Sequence, residues 1–126
     1  MAKTSIKDIL ERTEVMALST IGEDGSWVSP VGFTYNEKLE LTFMSMLNTK
    51  HVKNLLNDPH VSVAIFFHSD DMSIGLQIKG LAEHVSSGTS DTSWNEFKVI
   101  PKEVWCFDSR IERKRQRVDL SDLDLK

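Results

Sequence analysis

The chain has 126 residues, of which 40% are hydrophobic and 27% are charged, and its net charge is −4. This composition excludes wholesale disorder and a collagen-like fibre, and a single cysteine excludes a disulfide scaffold. The acidic balance disfavours a dedicated nucleic-acid binder. We expect one domain over residues 1–126. The longest apolar stretch, 63–67, is too short for a membrane span, and residues 1–8 lack the apolar core of a signal peptide. These features predict a cytoplasmic protein.

The first predicted element is a helix over 5–13. Ser5 is a candidate N-cap, and Ile6, Ile9 and Leu10 fall on one helical face. The periodicity then changes to two, which predicts a strand over 14–21 buried on both sides. A hairpin turn follows at 22–25, because its Asp-Gly pair supplies the positive φ that tight turns need.

The second predicted strand, 26–35, is interrupted by Pro30 and Gly32. Because proline has no N–H for a ladder bond, this strand lies at an edge or is bulged. Its exposed backbone groups could hydrogen-bond a flat heterocycle, and the alternative is an ordinary edge strand. Next come a strand over 39–46 and a helix over 49–57, which Asn48 or Thr49 caps.

Three further strands are predicted over 61–67, 74–85 and 103–108. A polar loop at 68–73 and a Ser/Thr/Gly-rich connection at 86–95 separate them. Strands joined by hairpins and interrupted by short helices predict an antiparallel sheet that closes into a small barrel, since open edges must be hidden. Parallel strand–helix–strand crossovers would contradict this fold.

The segment 43–53 is the most informative for chemistry. A strand runs directly into a helix whose first turn holds Thr49, Lys50 and His51. Free backbone N–H groups, a hydroxyl and two potential cations at a helix start suit a phosphate dianion. The imidazole adds charge only when it is protonated. The alternative is a capped helix with a solvated lysine.

Three other features of the sequence bear on its chemistry. Residues 110–117 hold five cations and one acid, which indicates a solvated strand or tail, or else an anion- or nucleic-acid-binding arm. Cys106 lies in an apolar strand, so an inert buried thiol is expected. The remaining polar residues show no metal-ligand spacing, and we expect no metal site among His60, His68, Asp70 and Asp71.

Taken in order, four segments resemble the pyridoxamine 5′-phosphate oxidase-like family of FMN-binding split β-barrel flavoproteins. They are ALSTIGEDGSWVSPVGFTY (17–35), FMSMLNTKHVKNLLNDPHVSVAIF (43–66), GLQIKGLAEHV (75–85) and VIPKEVWCFDSR (99–110). The resemblance covers about 10–110 and is carried by the order and spacing of the segments. It implies a mainly β, six-stranded antiparallel split barrel that binds FMN, in a homodimer whose cofactor sites lie at the interface.

The resemblance also assigns cofactor-binding residues. The residues that would run along the isoalloxazine ring are Ser29, Pro30, Val31, Gly32, Phe33 and Thr34. Ser45 would lie beside the flavin. The phosphate would be held by Thr49, Lys50 and His51. A flat ring also needs apolar walls, for which the candidates are Phe33, Met44, Met46, Trp94, Trp105 and Phe107. For each wall candidate, packing in the core or at an interface is the alternative.

The expected function is that of a small FMN-dependent oxidoreductase of the general-stress type, exchanging electrons with an unidentified small molecule. We expect it not to be an authentic pyridoxamine phosphate oxidase. Ser29 and His51 replace expected cations, and RIERKRQR (110–117) does not match the Arg-x-His-Asp-Arg element of the true enzyme. The alternative is a non-catalytic module that binds flavin or haem. The sequence points to no catalytic residue.

Overall fold

A computed structural model describes residues 2–86 and 93–126, except for the side chain of Arg113. Within these ranges the helices are α1 (Ala2–Arg12) and α2 (Lys50–Asn57), with a 3₁₀ turn at Leu120–Asp122. The strands are β1 (Val15–Gly22), β2 (Gly25–Gly32), β3 (Thr34–Tyr35), β4 (Leu41–Met46), β5 (His60–His68), β6 (Ser73–Ser86), β7 (Trp94–Asp108) and β8 (Glu112–Arg117). Neither α-helix has the length and apolar character needed to cross a membrane.

The strands form one antiparallel sheet in the order β2-β1-β5-β6-β7-β4-β3, and β8 pairs with β7 beside this path. β2 and β3 stand at opposite ends of the order, yet only Phe33 separates them in the chain. The sheet must therefore curl until its two ends meet, and β2 lies against β4 at this closure. This is the antiparallel split barrel that the sequence predicts.

The number of strands differs from the six predicted. Seven strands are neighbours in the order of the sheet, and β8, which pairs with β7, is the eighth. The predicted strand 26–35 is two strands, since β2 pairs with β1 and β3 pairs with β4. The predicted strand 103–108 is the end of a 15-residue β7, which continues through Pro101 beside a register shift at Lys79/Gly80. Most of the predicted connection 86–95 lies outside the described residues. The charge run supplies β8.

The first helix begins earlier than predicted, because Ala2 is already helical. Ser5 is therefore not its N-cap; it is buried within the helix, and its hydroxyl donates to Oδ2 of Asp108 at 2.8 Å. Arg110 completes this contact, with Nη2 2.8 Å from Oδ2 of Asp108 and 2.7 Å from Oδ2 of Asp8. The end of β7 is thus joined to α1 by a half-buried polar network.

The burial of β1 also differs from expectation. Met16, Leu18 and Thr20 point into the barrel and are buried, whereas Val15 and Ile21 are exposed on the outer face. The prediction of burial on both sides is wrong for the single chain, which covers only the inner face of this strand. The largest side chains of that interior include Phe43, Phe97, Ile65, Leu76, Ile6 and Ile9.

Candidate functional site

The start of α2 has a complete N-cap. Thr49 has extended backbone angles, its Oγ1 accepts from the backbone N–H of Val52 at 3.4 Å, and it donates to the carbonyl of Met46 at 2.8 Å. Both capacities of the hydroxyl are therefore used in building the helix start. Helix geometry leaves the amides of Lys50 and His51 as the first-turn donors without an intrahelical acceptor.

Lys50 carries the side-chain charge at this helix start. Its ammonium lies 3.3 Å from Oδ2 of Asp24 on the β1–β2 hairpin and 4.4 Å from the centre of the Trp27 ring. The side chains of Lys50 and Asp24 are 45% and 73% exposed. The hydrogen bond from Lys50 lowers the pKa of Asp24. Because exposed ion pairs contribute about 1 kcal/mol or less, an incoming phosphate can compete with Asp24 for this lysine.

His51 points the other way, into the barrel. Its ring is buried, with Nε2 2.6 Å from the hydroxyl oxygen of Ser45 on β4 and 3.5 Å from that of Thr49. Burial lowers the pKa of His51, so the imidazole is neutral at pH 7. Ser45 and His51 therefore form a buried hydrogen bond that joins β4 to α2.

The predicted ring-contacting stretch has two faces. Ser29 and Val31 are buried, whereas Pro30 and Gly32 are exposed on the opposite side of β2. Phe33 is half-buried, and its backbone N–H donates to the carbonyl of Glu14 at 3.0 Å. The first residue of β3, Thr34, is exposed. A flat ring can lie along one face or along the backbone of this stretch, so the six side chains cannot all contact it equally.

Trp27 joins the two halves of the predicted site. It lies on β2, two residues before Ser29, and its ring contacts the ammonium of Lys50. The ring-contacting stretch and the start of α2 are thereby brought to the same edge of the barrel. Neither Trp27 nor Asp24 is among the predicted site residues. The signal for Asp24 was its Asp-Gly turn, which predicts a hairpin without indicating what the tip contacts.

The six wall candidates lie largely outside the barrel core. Met44 and Trp94 are exposed, which contradicts core packing for these two. Met46, Phe33, Trp105 and Phe107 are partly buried. The indole N–H of Trp105 donates to Oε2 of Glu103 at 2.7 Å, so this ring is fixed at the surface. Met44 and Trp94 are thus available to a ligand or to a second protein surface, whereas Phe33 packs against the core.

A second feature missed from the sequence is an apolar outer face on the central strands, hereafter the outer sheet face. One row across it runs through Ala17, Ala64, Gln77 and Trp105, which are successive register partners on β1, β5, β6 and β7. Around this row lie further apolar side chains, of which Phe66 is 68% exposed; the others are Val15, Val28, Pro30 and Phe107. Apolar residues at the alternate positions of β1 and β5 were the available signal.

Other candidate groups have local partners. Cys106 is buried as predicted, and burial together with Asp108 raises its pKa to about 11. In the charge run, Arg117 faces Glu103 at 3.9 Å and the guanidinium of Arg115 lies 5.7 Å from the Phe107 ring. The described part of the chain contains no cluster of three or more His, Cys, Asp or Glu side chains that could hold a metal ion.

A family model described as pyridoxamine 5′-phosphate oxidase matches residues 2–119. The chain belongs to this family. A search of curated proteins gave no match. The three solved structures described next are 12–18% identical to this chain, and this level of likeness shows a shared fold and nothing finer.

Three solved structures are similar to this chain in fold. The first is a Clostridium acetobutylicum protein related to general stress protein 26 of Bacillus subtilis, with 12% identity, a TM-score of 0.76 and 95% of each chain covered. The second is a Mesorhizobium loti FAD-binding protein, with 14% identity, a TM-score of 0.71 and 94% of this chain and 96% of that chain covered. The third is a Mycobacterium smegmatis haem-binding protein, with 18% identity, a TM-score of 0.79 and 96% of this chain and 59% of that chain covered.

Proposed function

We propose that the protein is an FMN-binding flavoprotein of the general-stress type. It would act as a small oxidoreductase on an unidentified small molecule and work as a homodimer in the cytoplasm. The observation that carries the proposal is Lys50, a half-exposed cation on the first residue of α2, whose partner Asp24 is an exposed acid. A cation beside free helix N–H groups fits a phosphate monoester.

Different residues would bind the phosphate and the ring of FMN. Lys50 and the backbone amides at the start of α2 would bind the phosphate, while Thr49 keeps the helix start in shape through its cap. The backbone of Pro30–Thr34 would lie along the ring, where the chain passes from β2 to β3. His51 and Ser45 would act indirectly by fixing α2 against β4. When bound, FMN would supply the redox chemistry, accepting electrons from one small molecule and passing them to another.

The outer sheet face supports the homodimer. Phe66 is 68% exposed there, and Ala17 and Ala64 are small enough to let a second sheet approach closely. Large exposed apolar patches are characteristic of association surfaces. A second copy is the occupant we propose, because the face includes Val28 and Pro30 of β2. A partner seated on it would reach the edge of the flavin site, as an interface site requires.

We also propose that the protein does not oxidise pyridoxamine 5′-phosphate. A second phosphate, on the substrate, would need further cations. Ser29 is a buried neutral residue, and Arg110 is already engaged by two carboxylates, Asp8 and Asp108. The test is incubation of FMN-loaded protein with pyridoxamine 5′-phosphate and oxygen. Formation of pyridoxal 5′-phosphate faster than about 1 per second would overturn this proposal.

The proposed function is tested by titrating the protein with FMN and with riboflavin, which lacks the phosphate. We expect FMN to bind at least tenfold more tightly, and bound FMN to bleach under anaerobic NAD(P)H or another small donor. Equal affinity for the two flavins would place the phosphate elsewhere. Tight binding of FMN without reduction by any donor would leave a flavin-binding module and remove the enzymatic part of the proposal.

Haem binding is a second candidate function, favoured by one groove on the outer sheet face. The groove is lined by Phe66, Phe107 and Trp105, with His68 and Arg115 at its edge. Nδ1 of His68 lies 2.6 Å from the hydroxyl oxygen of Ser73, which orients the ring and leaves Nε2 as the candidate iron ligand. A Soret band that shifts in His68→Ala but not in His60→Ala would support this alternative.

A further inference from the structure

Arg115 is a cation of the charge run at 110–117 that the proposed flavin site does not use. It lies on β8 two residues before Arg117, which is the register partner of Trp105, so both arginines point to the outer sheet face. The guanidinium of Arg115 lies 5.7 Å from the centre of the Phe107 ring. Arg117 faces Glu103 at 3.9 Å, whereas none of the ion pairs among the described side chains includes Arg115. β8 therefore places an exposed cation at one margin of the outer sheet face.

Two acids lie at the opposite margin, in a groove between the end of α1 and the start of β1. Glu11 and Glu14 line this groove together with Phe66 of the outer sheet face. Arg12 also lines it, but its Nε is 2.7 Å from Oδ1 of Asp8, so this cation is already paired. Glu11 and Glu14 are exposed, and neither takes part in an ion pair within the described part of the chain. The groove therefore presents an excess of negative charge.

The register of the sheet puts these two margins on one row of the outer sheet face. Phe66 is the partner of Gly75, and Gly75 is the partner of Phe107. Because Phe66 lines the groove with Glu14 and Arg115 lies beside Phe107, the row runs from an acidic end at β1 to a cationic end on β8. The strands β5, β6 and β7 lie between β1 and β8, so the two ends are about 19 Å apart along the sheet. They are too far apart to pair within one chain.

The charges at the two ends distinguish the ways in which two copies can meet through this face. The two-fold axis of such a dimer lies between the two sheets, and aligned sheets place it either along the strands or across them. An axis across the strands sets β8 against β8, so that Arg115 would face a second Arg115. An axis along the strands exchanges the two ends of the row, so that Arg115 of each chain would meet Glu14 of the other. Since unlike charges favour association and like charges oppose it, the charge pattern favours the axis along the strands.

The sizes of the side chains fit the same arrangement. With the axis along the strands and centred on β6, β5 of one chain faces β7 of the other. Phe66 then meets the partner's Phe107, and in the adjacent row the small side chain of Ala64 meets the large ring of the partner's Trp105. Gly75 lies at the centre of its row, where the absence of a side chain lets the two sheets approach closely.

We infer that the two-fold axis of the homodimer runs along the strands, and that Arg115 of each chain binds in the acidic groove of the other, beside Glu14. The inference rests on the proposed function, since it takes the outer sheet face as the interface. Two such contacts form in each dimer, because two-fold symmetry repeats every contact. The charge run thus has its partner in a second copy of this chain.

The test is charge reversal with rescue, measured as the dissociation constant of the dimer by sedimentation equilibrium at low salt. Glu14→Arg and Arg115→Glu should each weaken the dimer by about tenfold or more, because each substitution places like charges at both contacts. The double variant Glu14→Arg/Arg115→Glu restores unlike charges. Its dissociation constant should return to within about threefold of the wild-type value.

Two controls separate a specific contact from net charge and from damage to β8. Glu37→Arg/Arg115→Glu has the same net charge as the rescued double variant, but Glu37 is an exposed acid of the turn between β3 and β4. This control should therefore stay as weak a dimer as Arg115→Glu. Lys114→Glu makes the same charge change at the neighbouring residue of β8, which lies in a different groove with Ser5 of α1. It should leave the dissociation constant within about threefold of the wild-type value.

The possible outcomes separate the arrangement of the dimer from its existence. If the wild type dimerises and neither reversal weakens the dimer, or if the double variant stays as weak as the single variants, this arrangement is wrong and the homodimer stands. If the Glu37 control recovers equally, or if Lys114→Glu is as weak as Arg115→Glu, the effect is one of net charge, and the contact of Arg115 with Glu14 is again wrong. If the wild type is monomeric at micromolar concentration, the proposed homodimer and this inference fall together.

Discussion

At the scale of single residues, Lys50 is the side chain on which the proposed flavin site depends most. Lys50→Ala should weaken FMN binding by roughly 1.5–3 kcal/mol, the usual contribution of a charge-assisted hydrogen bond. Riboflavin binding should change little, because the lost contact is to the phosphate. Fluorescence titration of both flavins measures this. Lys53→Ala, which removes an exposed lysine of the same helix, is the matched control.

A second residue-scale prediction concerns His51 and acid. Burial lowers the pKa of His51 in the folded protein below its ordinary value of 6.5, so the unfolded chain binds the proton more readily. Folding stability should therefore fall as the pH drops below about 6.5, where the unfolded imidazole becomes charged. In His51→Gln this part of the loss should disappear. Urea unfolding at pH 7.5 and 5.5 tests it, and an identical acid loss in the two proteins would contradict it.

The sequence predicted where the candidate residues lie in the fold more accurately than how their side chains are oriented. Thr49, Lys50 and His51 share one helix start as predicted, because strand-to-helix junctions and caps are local features. Their side chains nevertheless diverge, since His51 is buried beside Ser45 while Lys50 reaches the hairpin. These directions depend on β4 and on the β1–β2 hairpin, which are brought to α2 only by the tertiary fold. The contact of Asp24 with Lys50, 26 residues apart, had no local signal.

At the scale of elements, the network around Asp108 fastens α1 to the end of β7. Hydrogen bonds from Arg110 and Ser5 outweigh desolvation and lower the pKa of Asp108 from 3.8 to about 2. A lowered carboxyl pKa stabilises the fold fully above pH 3.8, and this contribution is lost as the pH falls toward 2. Asp108→Asn should lower the free energy of unfolding at pH 7 by about 2 kcal/mol. Asp70→Asn is the exposed control, and an equal stability of the two variants would contradict the role given to Asp108.

The register shift between β6 and β7 depends on Gly80. A Cβ there would come within 2.6 Å of the carbonyl oxygen of Ile100, a backbone atom that cannot move aside alone. Gly80→Ala should therefore destabilise the barrel by about 1–3 kcal/mol. Gly75→Ala, on the same strand, is the matched control, since its Cβ would meet the carbonyl oxygen of Ile65 at an ordinary 3.5 Å. Chemical denaturation distinguishes them, and similar midpoints would refute the prediction.

Element boundaries were predictable where residue chemistry is local. Thr49 begins α2, Asp58 ends it, and the glycine after Asp24 has the expected positive φ of 115°. The division of 26–35 was not predictable, because β2 and β3 take different partners only when the barrel closes. The full length of β7 was missed for a similar reason. Pro101 suggests a break, but the register shift opposite it lets the strand continue.

At the scale of the whole molecule, the outer sheet face links the fold to the proposed assembly. The expectation that β1 is buried on both sides fails for one chain, since its outer residues are exposed. In a homodimer formed through this face, a second sheet would cover them. The proposed homodimer thus explains why β1 has an apolar sequence on both faces although one face is exposed in the single chain. Two-fold association is also the commonest arrangement for soluble oligomers.

The homodimer prediction is tested by placing a charge on this face. Phe66 is 68% exposed in the single chain, so Phe66→Glu should leave the barrel folded. In the dimer the same carboxylate would be buried against apolar side chains without a partner. Two-fold symmetry places one such carboxylate on each chain, so the cost is several kcal/mol per interface.

The homodimer is measured by light scattering at micromolar concentration. The wild type should have about twice the 14.3 kDa chain mass, and the variant Phe66→Glu should be monomeric. Its FMN affinity should fall as well, because the proposed site lies at the margin of the interface. Leu56→Glu, which adds the same charge at an exposed apolar residue of α2, should remain dimeric. A monomeric wild type, or a dimeric Phe66→Glu, would show that this face is not where the chains meet.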